Sequence, residues 1–211
     1  MKILITGANG FIGKNLLFAL KNHQTILFDK EYDRDYLRHV LDTVDFVFHF
    51  AAGIKEGFEE NIELTQFIAD NLRCPILFTS SIQAETEYGK NKRKQEEIIA
   101  KCNRKYIYRL SNVFGRWCRP NYNNVVATFI YSVQTGQELM INDPNREVSL
   151  VYIDDVVSEF KSVLNGEFRS QTKFLEVTPI YGITVGKLAE VIKSFNINQE
   201  LLQKLIQTYN A

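Results

Sequence analysis

Apolar residues along this chain follow two rhythms. Dense runs at 2–6, 25–29, 45–50, 75–80 and 105–110 are rich in Ile, Val, Phe and Tyr, the pattern of strands buried on both faces. Between them, 11–22, 34–42, 59–72 and 88–102 carry apolar residues at helical spacing. Asn61 and Glu87 stand where helix starts are expected, and Gly and Pro fall between elements. The alternation predicts βαβ units, hence an α/β, Rossmann-type doubly wound parallel sheet with helices on both faces.

From 123 on the rhythm changes. The pattern predicts a helix over 123–135 that ends at Gly136, a strand at 138–142, and a turn at Asp143-Pro144-Asn145. An extended stretch at 147–153, a helix at 154–164, a strand at 174–178 and helices at 184–195 and 198–209 follow. The expected organisation is a dinucleotide-binding core over 1–122. The rest, 123–211, would hold the remaining sheet elements and a small C-terminal substrate-binding lobe, all in a single compact unit.

Composition narrows the function classes. A chain of 211 residues suits one domain with a sizeable core. Lys+Arg and Asp+Glu are 25 each, so no global field favours nucleic acid or an anionic membrane, and neither is expected as a partner. No apolar stretch is long enough to cross a bilayer, and strand-like sequence begins at once, without a signal peptide. Cys74, Cys102 and Cys118 form an odd, widely spaced set, which argues against a disulfide framework or a metal site and for a reducing compartment. A soluble, cytoplasmic protein is the expectation.

Two segments carry candidate chemistry. Thr6-Gly7-Ala8-Asn9-Gly10-Phe11-Ile12-Gly13 joins the first strand to the first helix. Glycines there let backbone N–H groups approach a pyrophosphate at the positive end of the helix. Gly7, Asn9, Gly10, Phe11, Ile12 and Gly13 are thus candidate residues for NAD(H) or NADP(H). Asp29 ends the second strand, where a carboxylate suits the ribose 2′-hydroxyl of NADH, whereas the adjacent Lys30 suits a 2′-phosphate. Ala51 and Ala52 close the third strand with side chains small enough for a ligand to reach the backbone. His49, inside an apolar run, reads as a hydrogen-bonded core residue.

The second segment is Tyr88-Gly89-Lys90-Asn91-Lys92, seven residues after Ser81. Tyr88 and Lys92 share one helix face. A nearby ammonium favours the phenolate and is expected to lower the Tyr88 pKa; it can also hold ribose hydroxyls. Ser81, or its neighbour Ser80, would orient a substrate oxygen. The catalytic candidates are therefore Tyr88, Lys92 and Ser81.

These motifs resemble the extended branch of the short-chain dehydrogenase/reductase superfamily, which acts on nucleotide sugars. The resemblance runs through His49-Phe50-Ala51-Ala52, Arg109-Leu110-Ser111-Asn112-Val113-Phe114-Gly115 and Tyr152-Ile153-Asp154-Asp155-Val156. Ser80-Ser81-Ile82-Gln83-Ala84 and the stretch from Phe114 to Phe129 are similar to the reductase domain of CapF-type capsular polysaccharide enzymes. That likeness implies NADPH-dependent reduction of a UDP-linked 4-keto-6-deoxy amino sugar, a homodimer, and a C-terminal cupin domain of which these residues contain no sequence. It also implies substrate contacts from Ser80, Gln83, Asn112, Arg116 and Arg146, the last displaced from the place of a UDP-gripping Arg that Val148 occupies. A nucleotide-sugar epimerase, or a cofactor-binding regulatory protein without turnover, is the alternative. Ile82-Gln83 stand where the family's dehydratases carry an Asp-Glu pair, and both Tyr88 and Lys92 are present.

Overall fold

The computed structural model describes residues 1–29, 33–53, 57–167, 173–194, 204, 207 and 208. Five strands, β1 (Lys2–Thr6), β2 (Gln24–Phe28), β3 (Phe46–His49), β4 (Ile76–Ser81) and β5 (Lys105–Leu110), form a parallel sheet in the order β2-β1-β3-β4-β5. The helices between them are α1 (Phe11–Ala19), α2 (Arg34–Leu41), α3 (Phe58–Asn71) and α4 (Glu87–Ile99). Ile3, Leu4, Ile5, Val47 and Phe48 are fully buried, which is why the central strands read as unbroken apolar runs. One core cluster joins Leu4, Val47, Ile76 and Phe78 to Leu37, Leu41, Ile68 and Ile99 from the helices.

The chain divides into two compact units, Met1–Leu110 with Glu159–Glu176, and Ser111–Ser158 with Val177–Ala211. Residue 122, the expected boundary, falls inside the second. In the first unit Phe160 stacks on Phe48 and Phe50 at 6.2 and 5.7 Å, and meets the Tyr108 ring edge-on at 5.1 Å. The second unit is built on β6 (Asn112–Phe114), β7 (Glu147–Tyr152) and β8 (Tyr181–Thr184), with β6 parallel and β8 antiparallel to β7. Its helices are α5 (Val125–Gln134) and α7 (Val185–Ser194), while α6 (Ile153–Leu164) has residues in both units. Lys204 donates to Asp155 and to the Tyr181 hydroxyl at 2.6 and 2.8 Å.

Several expected elements differ. No strand forms at 138–142, where Leu139 is buried but Met140 is 83% exposed. The expected strand at 174–178 is a single parallel bridge from Leu175 to Tyr108. Arg109–Gly115, one segment by resemblance, is split between two sheets at Ser111. Asn61 lies inside α3, whose N-cap is Gly57, and Thr86 rather than Glu87 caps α4. Most of the expected helix at 198–209 lies outside the described residues. No helix among them is long and apolar enough to cross a membrane.

Candidate functional site

The glycine turn is a close-packed backbone cradle. Gly7 has φ of 68°, the left-handed region, and a Cβ there would lie 2.7 Å from the Ala51 nitrogen. A Cβ on Gly13 would overlap the Gly7 carbonyl oxygen, so α1 starts directly on the turn. Gly10 is its N-cap: no side chain caps the first turn, and no acidic residue lies in it. The free N–H groups at this end thus suit an anion rather than an internal partner. Phe11 and Ile12 open the helix, and Asn9 donates from Nδ2 to Asp29 Oδ2 at 2.7 Å, which ties the turn to the end of β2. Ala51 donates its N–H to Thr6 Oγ1 at 3.2 Å, and Ala52 follows, half-buried. Lys30 lies outside the described residues. The missing side chains let the ends of β1 and β3 and the start of α1 pack backbone against backbone.

A buried chain of hydrogen bonds runs from this turn to α4. Thr6 Oγ1 meets His49 Nδ1 at 2.7 Å, and His49 Nε2 meets Thr65 Oγ1 at 2.9 Å. Thr65 reaches Gln95 at 3.1 Å, Gln95 donates to Asn91 at 2.6 Å, and Asn91 donates to the Phe58 carbonyl at 2.7 Å. Burial, then the Lys92 charge, lowers the His49 pKa to about 3, so the ring is neutral at pH 7. His49 is a core histidine, as its apolar context suggested.

One small residue joins the helix that carries Tyr88 and Lys92 to the loop that follows Ser81. A Cβ on Gly89 would overlap the Gln83 carbonyl oxygen, so only glycine lets the first turn of α4 close on the loop after β4. Thr86 caps that turn by accepting from the Gly89 N–H at 3.0 Å, and Ser81 Oγ accepts from the Gln83 N–H at 3.1 Å. Lys92 is buried at 1% exposure, its Nζ 5.8 Å from the Tyr88 ring centre and 4.6 Å from that of Phe78.

Burial governs the titration of this pair. It pulls the Lys92 ammonium down to about 7, with Glu96 opposing the fall. It pushes the Tyr88 phenol up to about 12. The expected lowering of Tyr88 is therefore corrected: desolvation of the phenolate outweighs a lysine that is itself only partly charged at pH 7.

Ser80 does not stand beside Ser81. Adjacent strand residues face opposite sides of a sheet, and Ser80 accepts from Arg93 at 3.3 Å. In the second unit Asn112 donates to the Ser149 carbonyl at 3.0 Å, Arg116 pairs with Asp154 at 3.1 Å, and Arg146 is exposed. Gly89, Thr86, Glu96 and Arg109 carry weight that their sequence context did not assign. The signal for Gly89 was its place inside the Tyr-Lys motif.

The profile of the NAD dependent epimerase/dehydratase family matches residues 3–77 and 75–172. The chain belongs to that family. It is 41% identical to the UDP-2-acetamido-2,6-beta-L-arabino-hexul-4-ose reductase of Pseudomonas aeruginosa, over 96% of this chain and 59% of that protein. Among solved structures, the capsular polysaccharide assembling protein CapF from Staphylococcus aureus superposes with a TM-score of 0.83 at 31% identity, over 99% of this chain and 64% of CapF. The UDP-glucose 4-epimerase of Thermotoga maritima superposes at 0.79 over 100% of this chain and 98% of its own, and its 17% identity shows a shared fold alone. The chain spans about three-fifths of the length of the first two relatives.

Proposed function

We propose that the chain is the reductase part of an NAD(P)H-dependent enzyme that reduces the C4 carbonyl of a UDP-linked 4-keto-6-deoxy amino sugar, on the way to a surface polysaccharide. The observation that supports this reading is the closure of α4 on the loop after β4 at Gly89, which fixes the helix turn that carries Tyr88, with Lys92 one turn on, against the segment that follows Ser81. The likeness to the Pseudomonas reductase supports the substrate class.

The nicotinamide nucleotide, when bound, supplies the hydride. Phe11, Ile12 and Gly13 would hold its pyrophosphate by backbone N–H groups, Gly7 and Gly10, whose own N–H groups bond to the Phe28 and Gly7 carbonyls, would shape the turn, and Ala51 and Ala52 would flank it. Lys92 would hold ribose hydroxyls. Ser81 orients the carbonyl oxygen and Tyr88 gives that oxygen its proton, so the ketone becomes an alcohol and the phenol a phenolate. A Tyr88 pKa near 12 keeps the phenol protonated at neutral pH, the form that reduction requires. Preorganised donors around a developing alkoxide are worth more in a buried site than in water.

Asp29, held by Asn9, supports NADH as the preferred nucleotide, and Asp29→Ala would move preference toward NADPH. Gln83, Asn112, Arg116 and Arg146 are proposed substrate contacts; Ser80, turned to Arg93, is withdrawn from that set. Light scattering on the full chain tests the homodimer that the CapF likeness suggests.

The test is loss of nicotinamide absorbance with a UDP-4-keto-6-deoxy-N-acetylamino sugar. Wild type turns over, and Tyr88→Phe falls by about 10²-fold or more with nucleotide binding retained. Full turnover in Tyr88→Phe would overturn the mechanism.

A further inference from the structure

Tyr88, Lys92 and Glu96 stand four residues apart on α4 and form one stripe. Glu96 is 3% exposed, and both of its oxygens are engaged. Arg109 donates from Nε to Oε1 at 3.0 Å and from Nη2 to Oε2 at 2.7 Å. Arg93 Nη1 donates to Oε1 and also reaches Ser80 Oγ at 3.3 Å. Ser80 and Arg109 are register partners across β4 and β5, and the Arg109 guanidinium lies 3.5 Å from the Phe174 ring centre. One carboxylate on the helix thus grips the ends of two adjacent strands, and one of those strands continues into Ser81.

We propose that Glu96 is a positioning residue for the reaction: it locks α4 to β4 and β5 in the register that holds Tyr88 and Lys92 in place, and it is the negative charge against which the Lys92 ammonium is held. This rests on the roles given above to Tyr88 and Lys92.

A buried ion pair adds little net stability, because desolvation offsets most of the attraction. The value of this one lies in geometry and in field. Burial alone would raise the Glu96 pKa; hydrogen bonds from Arg109 and Ser80, with the charges of Arg93 and Arg109, overcome it and hold the carboxyl below its ordinary range. Glu96 is therefore an anion throughout the working pH range. Among the described residues, the groups facing Lys92 bring no rival anion: His49 of β3 is neutral, Phe78 of β4 is apolar, and Tyr88 of its own helix is a phenol. Arg93 on α4 and Arg109 on β5 are cations already committed to Glu96. Among the described residues, the Glu96 field is what opposes the loss of the Lys92 proton.

The test is a ¹³Cε-lysine NMR titration of the full chain without nucleotide, with Lys92 assigned by Lys92→Met. Glu96→Gln is expected to move the Lys92 midpoint below its wild-type position near 7. With nucleotide and substrate, the alkaline limb of kcat is expected to move to lower pH in the same direction. Glu96→Asp keeps the charge and shortens the reach, so kcat should fall about tenfold or more while nucleotide affinity holds. An unchanged Lys92 midpoint in folded Glu96→Gln overturns the proposal. If circular dichroism shows that Glu96→Gln does not fold, Glu96→Asp decides: unchanged kcat and unchanged midpoint overturn it. An inactive wild type whose Lys92 midpoint still moves with Glu96→Gln would sink the reductase reading and leave the field of Glu96 standing.

Discussion

Gly89 faces the carbonyl of Gln83 so closely that even a methyl group at position 89 would overlap the oxygen. The helix that carries Tyr88 and the loop that follows Ser81 pack together because this residue has no side chain. Gly89→Ala must therefore open that contact. Overpacking of this kind costs about 1–3 kcal/mol, and displacement of catalytic groups by about 1 Å lowers turnover on the order of 10²-fold. The expected signature is a modest fall in melting temperature with a large fall in kcat; a variant with wild-type kcat would show that the contact is incidental.

Lys92 sets a pH dependence of stability with a definite sign. Its pKa falls from 10.5 in the ordinary state to about 7 in the fold, so between these values the unfolded chain binds more protons there than the folded one. Stability from this group rises with pH across that window, and the burial penalty is fully present below about 7. Lys92→Met is expected to be more stable than wild type near pH 7, with the advantage shrinking toward pH 10. Above pH 10 Tyr88, raised from 10.0 to about 12, acts with the opposite sign. Chemical denaturation of both proteins at pH 7 and pH 9.5 checks this; a constant difference would contradict the buried charge. The same variant should bind nucleotide more weakly and turn over poorly.

Ser80 and Ser81 are expected to fail differently. Ser81→Ala removes the hydroxyl proposed to orient the reacting oxygen and should lower kcat with little effect on stability. Ser80→Ala loosens the Arg93–Glu96 grip and should affect stability as well, without any capacity of Ser80 to replace Ser81. Steady-state kinetics with thermal melts distinguishes them; a large residual rate in Ser81→Ala that disappears in the double variant would show substitution after all.

NADH or NADPH should raise the melting temperature of the wild type by mass action. Gly10→Asp should abolish that rise, since its side chain would start 3.1 Å from the Gly7 oxygen and put a carboxylate where the anion is expected. Persistence of the shift in Gly10→Asp would place the nucleotide elsewhere.

The parallel sheet, its helices and the cofactor turn were legible because buried parallel strands write themselves as apolar runs and tight turns as glycines. The small sheet was not. Tyr181–Thr184 and Asn112–Phe114 are four and three residues long, too short to show a period. Leu139 and Leu175 lent strand character to segments that place single apolar residues rather than ladders. In the candidate site, Tyr88 and Lys92 could be proposed from spacing, whereas their pKa values could not, because desolvation depends on what the fold piles around them. Glu96 was hidden by its own helix: four residues after a lysine, it reads as half of a solvated pair, and its true partner, Arg109, is brought to it by strand pairing.

The first turn of α1 has neither a capping side chain nor an acid, and a helix start so exposed leaves its own stabilisation to a visitor. A cap would typically contribute about 1 kcal/mol, and an anion bound at the same N–H groups would supply it only while bound. On the proposed binding mode the nucleotide would therefore double as a removable cap of α1. Its pyrophosphate is the same in the oxidised and the reduced form, so the protection of that helix would follow the total nicotinamide nucleotide and not its redox state.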